Sequence, residues 1–164
     1  MYNRVKELKE IKKRFKENFY RIKELRTNQK IISILAKHLV KSSGYSIAST
    51  VLKREFRRIG KQNAERIVKI FGINGKGVVD AKRALKIAAM DLGVKLKVVD
   101  DVTVAEECPY GAEAVNNRER LVCQICKEYC NGIVEKILGD GYEVNQSQKI
   151  SSGQKYCKFE IVKI

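Results

Sequence analysis

Apolar residues recur at Val5, Leu8, Ile11, Phe15, Phe19, Ile22 and Leu25, steps of three and four that trace one helical face. A second helical segment, Gln29 to Lys41, carries Ile31, Ile32, Ile34, Leu35, Leu39 and Val40 and ends at Ser42-Ser43-Gly44. Ser46 is placed to cap a helix running to about Ile59, with Ala48, Val51, Leu52 and Phe56 inward and Gly60 stopping it. Asn63 to Phe71 reads as a further short helix closed by Gly72. Val78, Ala81, Leu85, Ala88 and Met90 then repeat at helical spacing as far as Gly93. The first half is expected to be helical.

The period changes after Gly93. Leu96, Val98, Val102 and Val104 alternate as on a half-buried strand, with a turn or bulge at Asp100-Asp101. Cys108-Pro109-Tyr-Gly111 breaks the strand into a loop, and Asn116 or Asn117 can cap a helix reaching about Leu138. Tyr142–Ile150 and Lys155–Ile164 read as a hairpin joined by Ser151-Ser152-Gly153-Gln154, with Cys157, Phe159, Ile161 and Lys163 sharing one face. The fold expected is α/β, of the α+β kind: helices packed on an antiparallel sheet, a helical N-terminal half, and a C-terminal helix plus hairpin.

At 164 residues with a single Pro and no linker-like tract, the chain fits one globular unit. Lys or Arg interrupts every apolar run, so no membrane span is expected. The charged N-terminus, Met1 to Arg26, does not read as a signal peptide, which points to a cytoplasmic protein. The formal net charge of +15 admits an anionic partner such as nucleic acid, but Lys6-Glu7, Lys9-Glu10 and Lys16-Glu17 interleave the signs as on a solvated surface.

The five cysteines are an odd number, and in a reducing compartment they read as thiols or metal ligands. Cys123, Cys126 and Cys130 stand at i, i+3 and i+7 and share a stripe about 60° wide on their helix, bordered by Ile133, Val134 and Ile137. Cys157, on a strand expected to pack there, would complete a set with them, and Cys108 could reach the same place. Thiolates one turn apart suit zinc, but the first and third are about 10.5 Å apart along the axis. Buried thiols serving as small hydrophobes account for the stripe equally well. An iron–sulfur cluster would accept four of the five, although such ligands usually lie on loops. Gly72-Ile-Asn-Gly75-Lys-Gly77 lacks the spacing of a phosphate loop and reads as a turn. The one histidine, His38, has no partners with which to build a hydrolytic set, so no catalytic residue is assigned.

The order of Gly44-Tyr45-Ser-Ile-Ala, Cys108-Pro109, Val122-Cys123, Tyr129 to Gly132, and Gly153 to Cys157-x-Phe159-x-Ile161 resembles the vinyl-4-reductase (hydrocarbon-binding) domain family, as an archaeal-type stand-alone member. The resemblance covers roughly 42–164 and leaves 1–41 as an N-terminal helical extension suited to forming a homodimer. It implies binding or sensing of a small hydrophobic molecule between helices and sheet, with Tyr45, Ala48, Leu52, Phe56, Tyr129 and Ile133 as lining residues. Some relatives are sensor parts of transcription regulators, so a regulator with a basic N-terminal helix is one alternative. A metal- or cysteine-dependent reductase is another. In aromatic-sensing relatives a zinc ion is held by a Cys matching Cys123, a Cys matching Cys157, and a Glu and a Cys between them. Those two places fall here at about Gln146 and Lys149, which leaves Cys126, Cys130 or Cys108 to complete the set.

Overall fold

A computed structural model describes residues 28–73, 77–99, 102–116 and 121–164. The helix expected over Val5–Leu25, the Asp100-Asp101 turn and the Asn117 cap lie outside the described residues. Helix α1 spans 28–43 and α2 spans Tyr45–Phe71; α3 follows at Val78–Asp91. Strands β1 (Lys95–Val99) and β2 (Val102–Glu107) lead to α4 (Pro109–Asn116) and α5 (Leu121–Leu138), then to β3 (Tyr142–Gln148) and β4 (Cys157–Lys163). The sheet is antiparallel throughout, in the order β1-β2-β4-β3. The expected class, helices on an antiparallel sheet, is the one observed.

Three local expectations differ from the structure. Gly60 does not stop a helix: α2 runs unbroken through it, because Gly60 is where α2 meets α5. A Cβ there would stand 2.1 Å from the Tyr129 carbonyl oxygen, and one at Gly132 would stand 2.0 Å from that of Arg57. The two glycines let the backbones touch, an arrangement that outweighs the roughly 1 kcal/mol a mid-helix Gly costs. Pro109 does not open a loop either. It starts α4, where its missing N–H and fixed φ suit the first helical position. Cys108 caps that helix, its Sγ accepting a 3.4 Å bond from Gly111 N–H. Nor does the Ser46 side chain cap α2, which begins directly after Gly44 at φ 81°, a left-handed value suited to glycine.

The core is built around α5, which is buried on nearly every side: Leu121, Val122, Cys123, Ile125, Tyr129, Asn131, Ile133, Val134 and Ile137 are all enclosed. Ala64 and Ile67 of α2, Ala81, Ala84, Leu85 and Ala88 of α3, and Val144 of β3 pack on it. Helix α1 contributes Ile32, Ala36, Leu39 and Val40 to contacts with α2, α4 and α5, so its packing joins it to the body despite lying mostly within the 1–41 extension. Asn131, buried on α5, accepts a 2.7 Å bond from Val144 N–H and ties the helix to the sheet. Glu135 meets Arg57 at 2.7 Å and also pairs with Lys61, clamping α2 beside the glycine contact.

Candidate functional site

The inner face of the sheet is set by register. Leu96 lies opposite Ala105, which lies opposite Cys157, while Thr103 lies opposite Phe159, itself opposite Gln146. These side chains do not close fully on the helices. A cavity of about 50 Å³ remains, walled by α3 (Leu85, Ala88), by α5 (Cys126, Ile133) and by the sheet (Val144, Phe159). Across a wall shared by Leu92, Tyr110, Cys126 and Tyr129 lies a second cavity of about 250 Å³, lined also by Ile32, Phe56, Ile59, Val122 and Ile125. For scale, a cavity of roughly 150 Å³ takes benzene.

All five cysteines, Cys108, Cys123, Cys126, Cys130 and Cys157, line the first cavity, as do Tyr129 and Ile133. Phe56 lines the second. Ala48 and Leu52 belong to the packing between α2 and α5. Tyr45 is 48% exposed, its hydroxyl accepting a 2.6 Å bond from Gln124, and it lines neither cavity. The α3 wall has no counterpart in the sequence-derived site: its small inward residues, Ala88 and Ala89, look like ordinary helix filling until the sheet is placed opposite them.

The thiols are acceptors to the surrounding backbone. Cys157 Sγ takes a 3.3 Å bond from Ile150 N–H and a bond from the Gln146 amide, and Ser151 bonds Cys123 through side chain and backbone. Burial pushes the Cys157 thiol up to about 11 and that of Cys108 to about 12, in each case against the pull of these bonds. Cys123 is raised, chiefly by burial. Cys126 is raised well above the ordinary thiol range by its bond to Cys130 and by burial. Tyr110 and Tyr129 are likewise raised by burial to about 12, although Asn63 donates to the Tyr129 hydroxyl.

Zinc or an iron–sulfur cluster needs several thiolates converging on one point. Among the described residues no group of three or more His, Cys, Asp or Glu side chains is placed to hold a metal ion. Gln146 and Lys149 stand at the two remaining places of the resemblance, and neither offers zinc the thiolate or carboxylate that those places hold in the relatives. Some of the described cations are engaged with carboxylates, as in Arg66 with Asp91, Lys97 with Glu106 and Lys136 with Glu65. No helix among the described residues is long and apolar enough to cross a membrane.

The arrangement is similar to two solved structures of low sequence identity. One is the phenol-responsive sensory domain of the transcription activator PoxR, solved with phenol: TM-score 0.61, 16% identity, covering 82% of this chain and 73% of that one. The other is a trafficking protein particle complex subunit 3 from Naegleria fowleri, covalently bound to palmitic acid: TM-score 0.61, 15% identity, covering 84% and 96%. At these identities the likeness shows the fold. No curated protein matches. A family model does, over residues 23–162, and it describes a family other than the vinyl-4-reductase domain that the short motifs resemble. With nearly the whole helix-and-sheet unit inside that match, the chain belongs to the methanogen output domain 1 family.

Proposed function

We propose that this protein binds a small, neutral, largely apolar molecule in the paired cavities between α3, α5 and the sheet, as a binding or sensing module. The observation that carries the reading is the lining itself: in a chain with 32% charged residues, no charged side chain among the described residues walls either cavity. The first cavity alone is smaller than a benzene site and the second is larger, so a ring-sized ligand that reaches the first would enter from the second by moving the Tyr110, Cys126 and Tyr129 wall. The bound phenol and palmitic acid of the two structural neighbours support an apolar ligand, and the sensory role of the phenol-bound neighbour supports a sensing module. Kinship with vinyl-4-reductase domains belongs to the same proposal and rests on the motifs around Cys123 and Cys157.

A cysteine-dependent reductase is less well supported, because a reactive thiol needs a lowered pKa and burial raises those of Cys108, Cys123, Cys126 and Cys157. Assembly as a homodimer draws support from α1, which turns Ile31, Ile34 and Leu35 outward. Native mass spectrometry of the purified chain, paired with thermal-shift screening of neutral aromatic and aliphatic compounds, reports ligand and stoichiometry together. A co-purifying or stabilising apolar compound is the expected result. No mass increment and no stabilisation by any compound would refute ligand binding.

A further inference from the structure

Gln146 sits on the inner face of β3, opposite Phe159, at the bulge between Gln146 and Gln148. Such bulges re-aim a side chain. The residue is only 9% exposed and lines the first cavity beside Val144, Cys157 and Phe159. Its amide stands beside the Cys157 thiol and draws it down against burial. Its Oε1 is buried and, among the described residues, has no hydrogen-bond partner. Leaving one buried acceptor unpaired costs a factor of roughly 5 to 150 in an equilibrium constant. A leucine or methionine on the same strand face would fill similar space without that penalty.

We propose that the ligand is a neutral apolar molecule bearing one hydrogen-bond donor, a hydroxyl or a ring N–H, which it presents to Gln146 Oε1. This rests on the ligand-binding reading above and specifies its chemistry. An anion or cation would meet no opposite charge among the lining residues. An acceptor-only ligand would leave Oε1 unpaired, and a pure hydrocarbon would seal it away from water as well. A buried water is the competing occupant, but it wants two to four polar partners, and the walls here are mostly aliphatic carbon and thiol.

The test compares indole with indene, which share a fused-ring frame and differ in the N–H donor. Calorimetry gives both affinities, and indole emission gives a second readout because the chain has no Trp. The indole-to-indene affinity ratio in the native chain is expected to exceed that in Gln146→Met by about tenfold. Gln146→Leu takes its place if the methionine variant does not fold. Equal ratios in native and variant chains overturn the donor requirement while leaving apolar binding intact. If the native chain binds neither probe while the wider screen finds another apolar ligand, this inference falls alone; if that screen finds none, the ligand-binding reading falls with it.

Discussion

Replacing Gly60 with alanine tests whether the crossing of α2 over α5 sets the geometry of the domain. The added Cβ would lie 2.1 Å from the Tyr129 carbonyl oxygen, 3.0 Å from its carbonyl carbon and 3.2 Å from Gly132 Cα. All three are backbone atoms, so no rotamer change relieves the clash, and the helices must separate by about 1 Å to reach ordinary contact. A gap of that size forfeits a quarter to a half of the dispersion well for each contact along the seam. The seam includes Ala64 and Ile67 on one side and Tyr129 and Ile133 on the other. Overpacking ordinarily costs about 1–3 kcal/mol. Here the cost sits at the upper end, partly offset by the better helix propensity of alanine, about 1 kcal/mol.

A net loss of about 2–3 kcal/mol follows, or roughly 4–12 °C in Tm for a domain of this size. Circular dichroism melts of Gly60→Ala and Gly132→Ala should both show it. Gly141→Ala is the control: a Cβ there meets nothing within 4 Å, and its φ is not in the left-handed region. It should melt within about 2 °C of the parent. Melting of Gly60→Ala within the same margin would refute the contact as drawn.

Two further outcomes follow from the site and its supports. Burial alone would raise the Glu135 carboxyl, but hydrogen bonds from Lys61 and Arg57 prevail and hold it at about 2, below its unfolded value of about 4.3. Its contribution is therefore complete above pH ~5 and is lost as pH falls through that window toward 2. Because Arg57 and Lys61 are nearly half exposed, screening reduces it to on the order of 1 kcal/mol. Urea midpoints of Glu135→Gln should fall below those of the parent at pH 7 and converge with them near pH 2; a constant gap would remove the clamp from the account. Separately, thiols held at about 11 and about 12 keep Cys157 and Cys108 protonated at neutral pH. Iodoacetamide at pH 7.5 should label them at least about 100-fold more slowly in the folded chain than in urea, as read by peptide mass spectrometry. Rapid labelling of either in the folded state would count against the buried-thiol description.

The elements visible in the sequence were those whose burial repeats along the chain. The 28–43 helix, α3, α5 and the closing strands each show a period that survives in the structure because one face meets the core. Gly60 and Pro109 were misread because their roles depend on what lies opposite. A glycine against a neighbouring helix and a glycine ending a helix look alike locally, and Pro suits the first position of a helix as readily as a loop. The cavity was legible on one side only. The Cys123, Cys126 and Cys130 stripe pointed inward, and Tyr129 and Ile133 stand beside it. The opposing wall of small α3 residues and the second cavity depend on tertiary placement that no local pattern carries. One usable signal was the alternation Tyr142, Val144, Gln146, which puts an amide on a face otherwise reserved for apolar residues.

The cysteines and the glutamine together explain how such a cavity can discriminate. Thiols are small and polarizable, so they shape an apolar wall that adapts to aromatic or aliphatic surfaces without adding charge. Their weak acceptor capacity is largely taken up by Ile150, Ser151 and Gly111. That leaves Gln146, among the described residues, as the one side-chain amide in the lining, with its carbonyl oxygen unpaired. In a low-dielectric enclosure a single hydrogen bond counts for more than it does in water, and an unpaired acceptor costs correspondingly more. Ligands of equal size are then separated by whether they carry a donor, while hydrophobic contact alone distinguishes a methylene more or less by only about 1–3 kcal/mol. On the proposed reading, broad affinity would come from the thiol-rich walls and selectivity from the β3 bulge.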